Sequence, residues 1–105
     1  MGKLSRRKGA GGEREVCALL TNALGEHITR RLGQARDSGC DIELPPFVVE
    51  VKRRKRLGNL HEWMKQATEA CEVGDKPVVM CRGDGERWLV VMEFDDWVEI
   101  AREEL

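Results

Sequence analysis

Four side chains of this 105-residue sequence could carry chemistry together: three carboxylates, Glu13, Asp41 and Glu50, and one amine, Lys52. Asp41 precedes a pair of prolines, and Glu50-Val51-Lys52 closes the apolar run that follows them. Carboxylate oxygens are the hard ligands that Mg²⁺ or Mn²⁺ prefers. A lysine two residues from a ligand can hold an attacking water or neutralise the charge of a phosphoryl transition state. The spacing therefore favours hydrolysis of a phosphodiester with Mg²⁺, Mn²⁺ as its substitute, and no organic cofactor.

A predicted hairpin positions these residues, and we centre its loop between Pro45 and Pro46. This register places Asp41 opposite Glu50 with Cβ atoms about 5 Å apart, where two carboxylates repel unless a cation lies between them. It also separates an apolar face from a charged face, and a slip of one residue would bury the charges. The two faces are Ile42, Leu44, Val49 and Val51, and Asp41, Glu43, Glu50 and Lys52. Because two prolines cannot adopt positive φ, we expect a longer but symmetric loop.

Each part of this pattern also has a purely structural interpretation. Glu50 and Lys52 could form an exposed charge pair on a two-sided sheet, and such pairs contribute little. Glu13, which we expect at the start of a helix, could simply favour the positive end of the helix dipole. If Glu13 belongs to the site, it completes the metal shell or helps to bind a second ion. The joint pattern of three acids and a lysine favours the metal site.

Hydrophobic periodicity and turn residues predict an α/β (α+β) domain in which helices flank one mixed five-stranded sheet. The predicted order of elements is α-β-β-β-α-β-β-α. Residues 1–12 are expected to form a flexible basic arm, because Gly9, Gly11 and Gly12 oppose regular structure, and residues 13–105 are expected to form a single domain. The expected strands are residues 27–32, 40–44, 47–53, 77–82 and 87–92.

Three helices are expected around these strands. The first begins at Glu13, and the second follows an Asn59 cap whose capping box includes Glu62. The last follows an Asp95 cap, and its inward-facing residues are expected to be Trp97, Val98 and Ala101.

The composition fits one soluble domain of a cytoplasmic protein. Hydrophobic residues make up 41% and charged residues 35% of the chain, which is typical of a globular rather than a disordered sequence. No apolar run reaches the roughly 20 residues of a membrane span, and residues 1–8 lack the apolar core of a signal peptide. The four cysteines show no zinc-ligand spacing, and we expect them to be reduced.

Charge is distributed unevenly along the chain. Residues 1–56 hold 13 lysines and arginines against 7 acidic residues, whereas residues 57–105 hold 5 against 12. A basic half predicts contact with a polyanion, through shape and phosphate rather than base sequence. The run after Lys52 is either a solvated face or a phosphate-binding patch, and its position beside the candidate site favours phosphate. The candidate DNA contacts are Lys3, Arg6, Arg7, Lys8, Arg14, Arg36, Arg53, Arg54, Lys55 and Arg56, and Arg30 and Arg31 add to the charge of the basic half. Gln66, on the second helix, either approaches the site or is an ordinary surface glutamine.

The chain resembles the PD-(D/E)XK nuclease superfamily and, within it, the archaeal-type Holliday junction resolvases and their small phage relatives. The matching segments are residues 8–15 (KGAGGERE), 36–41 (RDSGCD), 50–52 (EVK) and 63–67 (WMKQA). The resemblance implies a restriction-endonuclease-like αβββαβ core, a homodimer, and magnesium-dependent cutting of four-way DNA junctions. The roles that it implies are metal ligation by Glu13, Asp41 and Glu50, catalysis by Lys52, DNA binding or structural support by Arg14, and a position beside the scissile phosphate for Ser38.

Three functions remain open at this stage. The first is a Holliday junction resolvase, whose twofold symmetry would match a symmetric four-way junction. The second is a less selective DNA nuclease acting on nicks, flaps or duplex ends. The third is a DNA-binding module that does not cleave, which the intact set of acids and lysine disfavours.

Overall fold

The computed structural model describes residues 2–28 and 42–105, with residues 2–10 and 43 described by their backbone alone. Within these ranges, three helices and four strands follow one another in the order α-β-β-α-β-β-α. They are α1 (Gly2–Leu24), β1 (Ile42–Leu44), β2 (Phe47–Arg54), α2 (Leu60–Glu69), β3 (Lys76–Gly83), β4 (Leu89–Met92) and α3 (Phe94–Glu104).

The four strands of the described residues form one mixed sheet in the order β1-β2-β3-β4. β2 and β3 are parallel at its centre, whereas β1 pairs with β2 and β4 pairs with β3 in antiparallel fashion. A parallel pair requires a crossover connection, which α2 provides. β2 and β3 are each eight residues long and largely buried, as expected for central strands covered on both faces.

Helices cover both faces of this sheet and create two apolar clusters. Val16 and Cys17 of α1 pack with Ile42, Val49 and Val51 on one face. On the other face, α2 packs Met64 and Ala67 against Val79 and Cys81 of β3. Because side chains alternate along a strand, odd-numbered residues of β2 face α1 and even-numbered residues face α2.

The first helix is longer than predicted. It begins at Gly2 rather than at Glu13, so residues 2–12, expected as a flexible arm, are helical. A glycine inside a helix costs only about 1 kcal/mol relative to alanine, and Gly12 has a packing role. A Cβ added there would lie 3.0 Å from the Cβ of Arg53 and 3.6 Å from Cγ1 of Val51. Gly12 therefore allows α1 to approach β2 closely. In the sequence alone, a glycine that permits close packing looks the same as a glycine that interrupts a helix.

The β1–β2 hairpin has the predicted register, with Ile42 opposite Val49 and Leu44 opposite Phe47. Its loop, however, is shorter than predicted, because Pro45 and Pro46 alone connect the strands through a cis peptide bond. A turn with a cis-proline at its third position reverses the chain without positive φ. The predicted start of β1 at residues 40 and 41 lies outside the described residues.

Four strands rather than five form the sheet of the described residues, and the difference arises at residues 27–32. Residues 27 and 28 are not part of a strand. Instead, the hydroxyl of Thr21 accepts a hydrogen bond from the Ile28 N–H at 3.0 Å and lies 3.3 Å from its carbonyl oxygen, to which it donates. These contacts hold Ile28 against α1. Residues 29–32 lie outside the described residues.

The second and third helices show how far local signals determine a helix. The Asn59 cap of α2 is confirmed, since its side chain accepts a hydrogen bond from the N–H of Glu62 at 3.1 Å. The last helix is confirmed, but its predicted Asp95 cap is wrong: α3 begins at Phe94, and its cap residue Glu93 makes no side-chain capping bond. Trp97, expected to face inward, is 56% exposed.

α3 lies outside the apolar clusters. Among the described residues, no side chain of α3 is buried, and Lys76 of β3 forms an ion pair with Glu99 of α3. This pairing raises the pKa of Lys76 and lowers the pKa of Glu99. No helix in the described part of the chain is long and apolar enough to span a membrane.

Candidate functional site

The centre of the candidate site is Glu50 on β2. Its neighbours Val49 and Val51 are 0% and 6% exposed and belong to the apolar cluster under α1. Strand alternation therefore directs the Glu50 side chain to the opposite face, which α2 covers. Glu50 is itself only 8% exposed, so the interpretation of an exposed charge pair on a two-sided sheet is wrong.

Lys52 is the charged neighbour of this buried carboxylate. Its Nζ lies 3.6 Å from Oε1 of Glu50, and the two side chains are 12% and 10% exposed. Taking a carboxylate and an ammonium out of water is costly, and the cost falls only when the charges compensate each other. The strand therefore holds an anion and a cation side by side under α2, as the spacing of Glu50 and Lys52 predicts.

The expected partner of Glu50, Asp41, lies outside the described residues. β1 starts at the next residue, Ile42, whose side chain is fully buried beside α1. The three observed residue pairs have the register from which the pairing of Asp41 with Glu50 was predicted. That pairing stays a prediction, as do the positions of Arg30, Arg31, Arg36 and Ser38, which also lie outside the described ranges.

Glu13 occupies the middle of α1 and not its beginning, so the helix-dipole interpretation of this residue is wrong. Its side chain is partly buried. A Cβ added at the adjacent Gly12 would lie against Val51 and Arg53, which places this turn of α1 level with Lys52 but on the opposite face of the sheet. Within residues 2–28 and 42–105, no group of three or more potential metal ligands occurs. Glu13 and Glu50 are thus carried by different layers of the fold.

The predicted DNA contacts differ in their surroundings. Arg53 is partly buried and its NH2 atom lies 3.9 Å from Oδ1 of Asp84, while Lys55 and Arg56 are exposed. The guanidinium of Arg54 lies over the ring of Trp63 on α2, 5.8 Å from the ring centroid. The remaining candidates are exposed Arg14 on α1 and four residues whose side chains are not described, Lys3, Arg6, Arg7 and Lys8. Gln66 is on the helix that covers Glu50, but its side chain is exposed.

A second charged group, absent from the sequence predictions, joins α1 to the far strands. Oε1 of Glu15 accepts a hydrogen bond from the indole N–H of Trp88 at 2.7 Å and lies 3.2 Å from Nε of Arg82. The Arg82 guanidinium also lies over the Trp88 ring, 5.6 Å from its centroid. The bond from Trp88 and the charge of Arg82 lower the pKa of the Glu15 carboxyl, against the opposing effect of burial.

No local pattern could have revealed this group. Arg82 and Trp88 are 67 and 73 residues away from Glu15 in the chain. The group ties the helix that carries Glu13 to β3 and to the segment before β4, and so sets the orientation of α1 on the sheet.

The side chain at the centre of the site provides the type of ligand atom that a divalent metal ion prefers. Glu50 offers hard carboxylate oxygens, which suit Mg²⁺ or Mn²⁺. Because Lys52 already compensates the charge of Glu50, a metal ion needs further carboxylates. The sequence provides Asp41 in the segment before β1 and Glu13 on α1 as candidates.

Comparison with known proteins identifies the family of this chain. A family model described as "Phage putative PDDEXK endonuclease" matches residues 4–104. No curated protein and no solved structure matches the chain. The matched range contains the Glu50–Lys52 strand, both covering helices and nearly all of the remaining sequence. The chain therefore belongs to the phage PDDEXK endonuclease family, within the PD-(D/E)XK nuclease superfamily.

Proposed function

We propose that this protein is a metal-dependent, structure-selective DNA endonuclease, most concretely a Holliday junction resolvase of the bacterial or phage-infected cytoplasm. The observation that carries the proposal is the buried Glu50–Lys52 pair, with Nζ and Oε1 3.6 Å apart on the central strand. An exposed run of lysine and arginine continues from the same strand. The family match supports the nuclease, and the resemblance to junction resolvases supports the substrate.

In the proposed reaction, water attacks the phosphorus of a DNA phosphodiester. A new P–O bond forms as the P–O bond to one deoxyribose breaks, and the departing sugar oxygen takes up a proton. Glu50 and Asp41 would hold a Mg²⁺ ion, and Glu13, which α1 carries on the other face of the sheet, would help to bind a second ion rather than complete the shell of the first. When bound, the ion polarises the phosphate and lowers the pKa of water. Lys52 holds the attacking water or neutralises charge that develops on the phosphate oxygens. The low exposure of both side chains strengthens these electrostatic effects, since little water screens them.

Cleavage assays test this proposal with a labelled immobile four-way junction beside a linear duplex of the same sequence, both with Mg²⁺. We expect paired symmetric nicks in the junction alone, and no cleavage by Glu50→Gln or Asp41→Asn protein. Glu69→Gln, at the exposed end of α2, is the matched acid-to-amide control and should cleave normally. Cleavage of both substrates would identify a less selective nuclease. Binding without cleavage in Mg²⁺ and Mn²⁺ would identify a DNA-binding module.

Lys52 has a separate test. We expect Lys52→Ala to lower turnover about 10²-fold or more, the usual contribution of a positioned proton-transfer or charge-stabilising group. Affinity for DNA and for Mn²⁺ should largely survive, because the substitution leaves the carboxylates in place. Turnover at the wild-type rate would remove Lys52 from the mechanism.

A homodimer forms part of the proposal, because two symmetric nicks require two active sites. Exposed apolar side chains on β4 and α3 support an association of two copies through these elements: Leu89, Val90, Phe94 and Trp97 are 51%, 61%, 75% and 56% exposed. β4 is also an edge strand of the described sheet, with backbone groups available for pairing.

Light scattering of the purified protein tests the dimer. We expect twice the 11.9 kDa chain mass for the wild type and a monomer for Trp97→Ser. Leu24→Ser is the matched control, because Leu24 is 54% exposed on α1, and it should remain dimeric. A wild-type monomer at all concentrations that the assay reaches would contradict the dimer.

A further inference from the structure

The contact between Arg54 and Trp63 lies beside the proposed cleavage centre. Arg54 is two residues beyond Lys52 on β2 and therefore projects from the same face, about 6–7 Å further along the strand. Its guanidinium lies 5.8 Å from the centroid of the Trp63 ring, on the helix that covers this face. A cation and an aromatic ring thus follow Glu50 and Lys52 in one line.

The same chain contains a second arginine–tryptophan contact for comparison. The Arg82 guanidinium lies over the Trp88 ring, 5.6 Å from its centroid, and Glu15 interacts with both of these side chains. It accepts the indole N–H at 2.7 Å and pairs with the guanidinium at 3.2 Å. The indole N–H of Trp88 and the guanidinium of Arg82 thus both interact with Glu15 within the fold, so the role of this contact is structural.

Arg54 and Trp63 lack such a carboxylate. Among the described residues, the Arg54 guanidinium hydrogen-bonds only the carbonyl oxygen of Arg53, at 3.0 Å. Within the same ranges, the indole N–H of Trp63 has no acceptor, and neither Lys55 nor Arg56 pairs with a carboxylate. Among the described residues, three consecutive exposed cations thus carry charge that no carboxylate compensates, and the first of them, Arg54, lies over a partly exposed ring. A ligand that complements this surface carries negative charge and a flat π-system together.

We propose that Arg54 and Trp63 form a subsite for one unpaired nucleotide of a DNA strand. The identification of the ligand as DNA rests on the proposed function. The Trp63 ring stacks on the base, and Arg54 leaves the ring face to bind the phosphate. Bases within a duplex are stacked on both sides, so the ring reaches a base only where stacking is broken. A flap provides unpaired bases, and opening of a base pair costs less at the centre of a junction or at a nick, where stacking is interrupted on one side, which makes this subsite a source of structure selectivity.

The first test measures binding by fluorescence anisotropy, with the full chain in EDTA and a labelled single strand of roughly 12 nucleotides, within the usual site sizes. We expect Trp63→Leu to weaken binding by about 5- to 150-fold, the fold-change that corresponds to one stacked base. Trp63→Phe keeps a ring and should remain within about 3-fold of the wild type. Trp88→Phe alters the structural contact instead and should bind the strand like the wild type.

A duplex of the same sequence separates stacking from general affinity. Its Kd should change by less than about 2-fold in Trp63→Leu, because its bases are already stacked. Circular dichroism and thermal melting of each variant establish that the fold is retained. Equal loss of affinity for duplex and single strand, or no loss for either, would overturn the subsite.

An abasic site moved along the strand adds a pairwise test. In the wild type, one position should weaken binding more than the others, and this preference should vanish in Trp63→Leu but persist in Trp63→Phe. An identical abasic profile in Trp63→Leu would overturn the proposal. Because no step of this assay requires a metal ion, absence of cleavage would refute the nuclease and leave the subsite intact. Cleavage with a wild-type response in Trp63→Leu would refute the subsite alone.

Discussion

At the scale of single residues, burial distinguishes the Glu50–Lys52 pair from the many other charges of this chain. Surface pairs contribute little because water screens them, whereas these two side chains are 10% and 12% exposed. Neither can lose its partner without leaving a charge in a poorly hydrated site. The pair is therefore expected to matter for stability as well as for the proposed chemistry.

A double-mutant cycle measures this interdependence. We expect Lys52→Met to lower the free energy of unfolding by about 1–3 kcal/mol, because the Glu50 carboxylate remains buried without its cation. In Glu50→Gln/Lys52→Met the cost should be smaller than the sum of the single substitutions, by about 0.5–3 kcal/mol. Urea denaturation provides the values. Strict additivity would contradict a buried, interacting pair.

Glu15 predicts a pH dependence of stability. Its pKa is lowered in the folded protein, first by the hydrogen bond from Trp88 and then by Arg82. The folded state therefore holds this proton less tightly than the unfolded state, whose ordinary value is 4.5. The resulting stabilisation is complete above that pH and is lost as the pH falls through the lower, folded value.

Substitution at Glu15 should remove that dependence. We expect Glu15→Gln to be less stable at neutral pH and to lose less stability between about pH 5 and about pH 3. Trp88→Phe, which removes the largest cause of the shift, should change the profile in the same direction. Chemical denaturation across this pH range checks both variants, and wild-type steepness in Glu15→Gln would contradict the assignment.

At the scale of elements, the contact between α1 and β2 determines how the helix that carries Glu13 is positioned against the strand that carries Glu50. Gly12 sits where the helix meets the strand, with Arg53, Val51 and Trp88 within 3.0 to 3.7 Å of an added Cβ. Gly11, one residue earlier, has nothing within 4 Å of an added Cβ. The two neighbours thus share a helix but differ in their tolerance of a side chain.

Alanine substitutions at these two glycines should have opposite effects. We expect Gly11→Ala to raise the free energy of unfolding by about 0.5–1 kcal/mol, the gain in helix propensity. Gly12→Ala should not raise the free energy of unfolding, because the added Cβ would press against the Cβ of Arg53, which is attached to a central strand and cannot move away easily. Gly12→Leu should cost about 1–3 kcal/mol through overpacking. Thermal melting measures all three, and equal gains at both positions would show that α1 does not pack closely on β2.

At the scale of the whole molecule, the basic and acidic halves of the sequence occupy different parts of the fold. The C-terminal half of β2 and the segment that follows it provide the exposed cations Arg54, Lys55 and Arg56. α3 is mostly acidic on its charged side and is joined to β3 through Lys76 and Glu99. A polyanion is therefore attracted to one end of the molecule and repelled from the other.

Salt dependence reports how many cations contact DNA phosphates. We expect the slope of log K against log salt for duplex binding to decrease in magnitude by about 0.9 in Lys55→Ala, one phosphate contact. Arg102→Ala, a matched loss of one positive charge on α3, should leave the slope unchanged. Anisotropy titrations at several salt concentrations measure both slopes. An equal change in the two variants would indicate a general charge effect rather than a contact.

By itself, the sequence determined the features that depend on neighbouring residues. The alternation of residues around Glu50 and the pair of prolines determined the hairpin register, and Asn59 determined the start of α2. Contacts between distant residues were decided only by the tertiary structure, because propensity cannot report what a side chain meets across the fold. Gly12 allows close packing rather than ending a helix, Glu15 reaches Arg82 and Trp88, and Trp97 stays exposed because nothing in the described fold packs over α3.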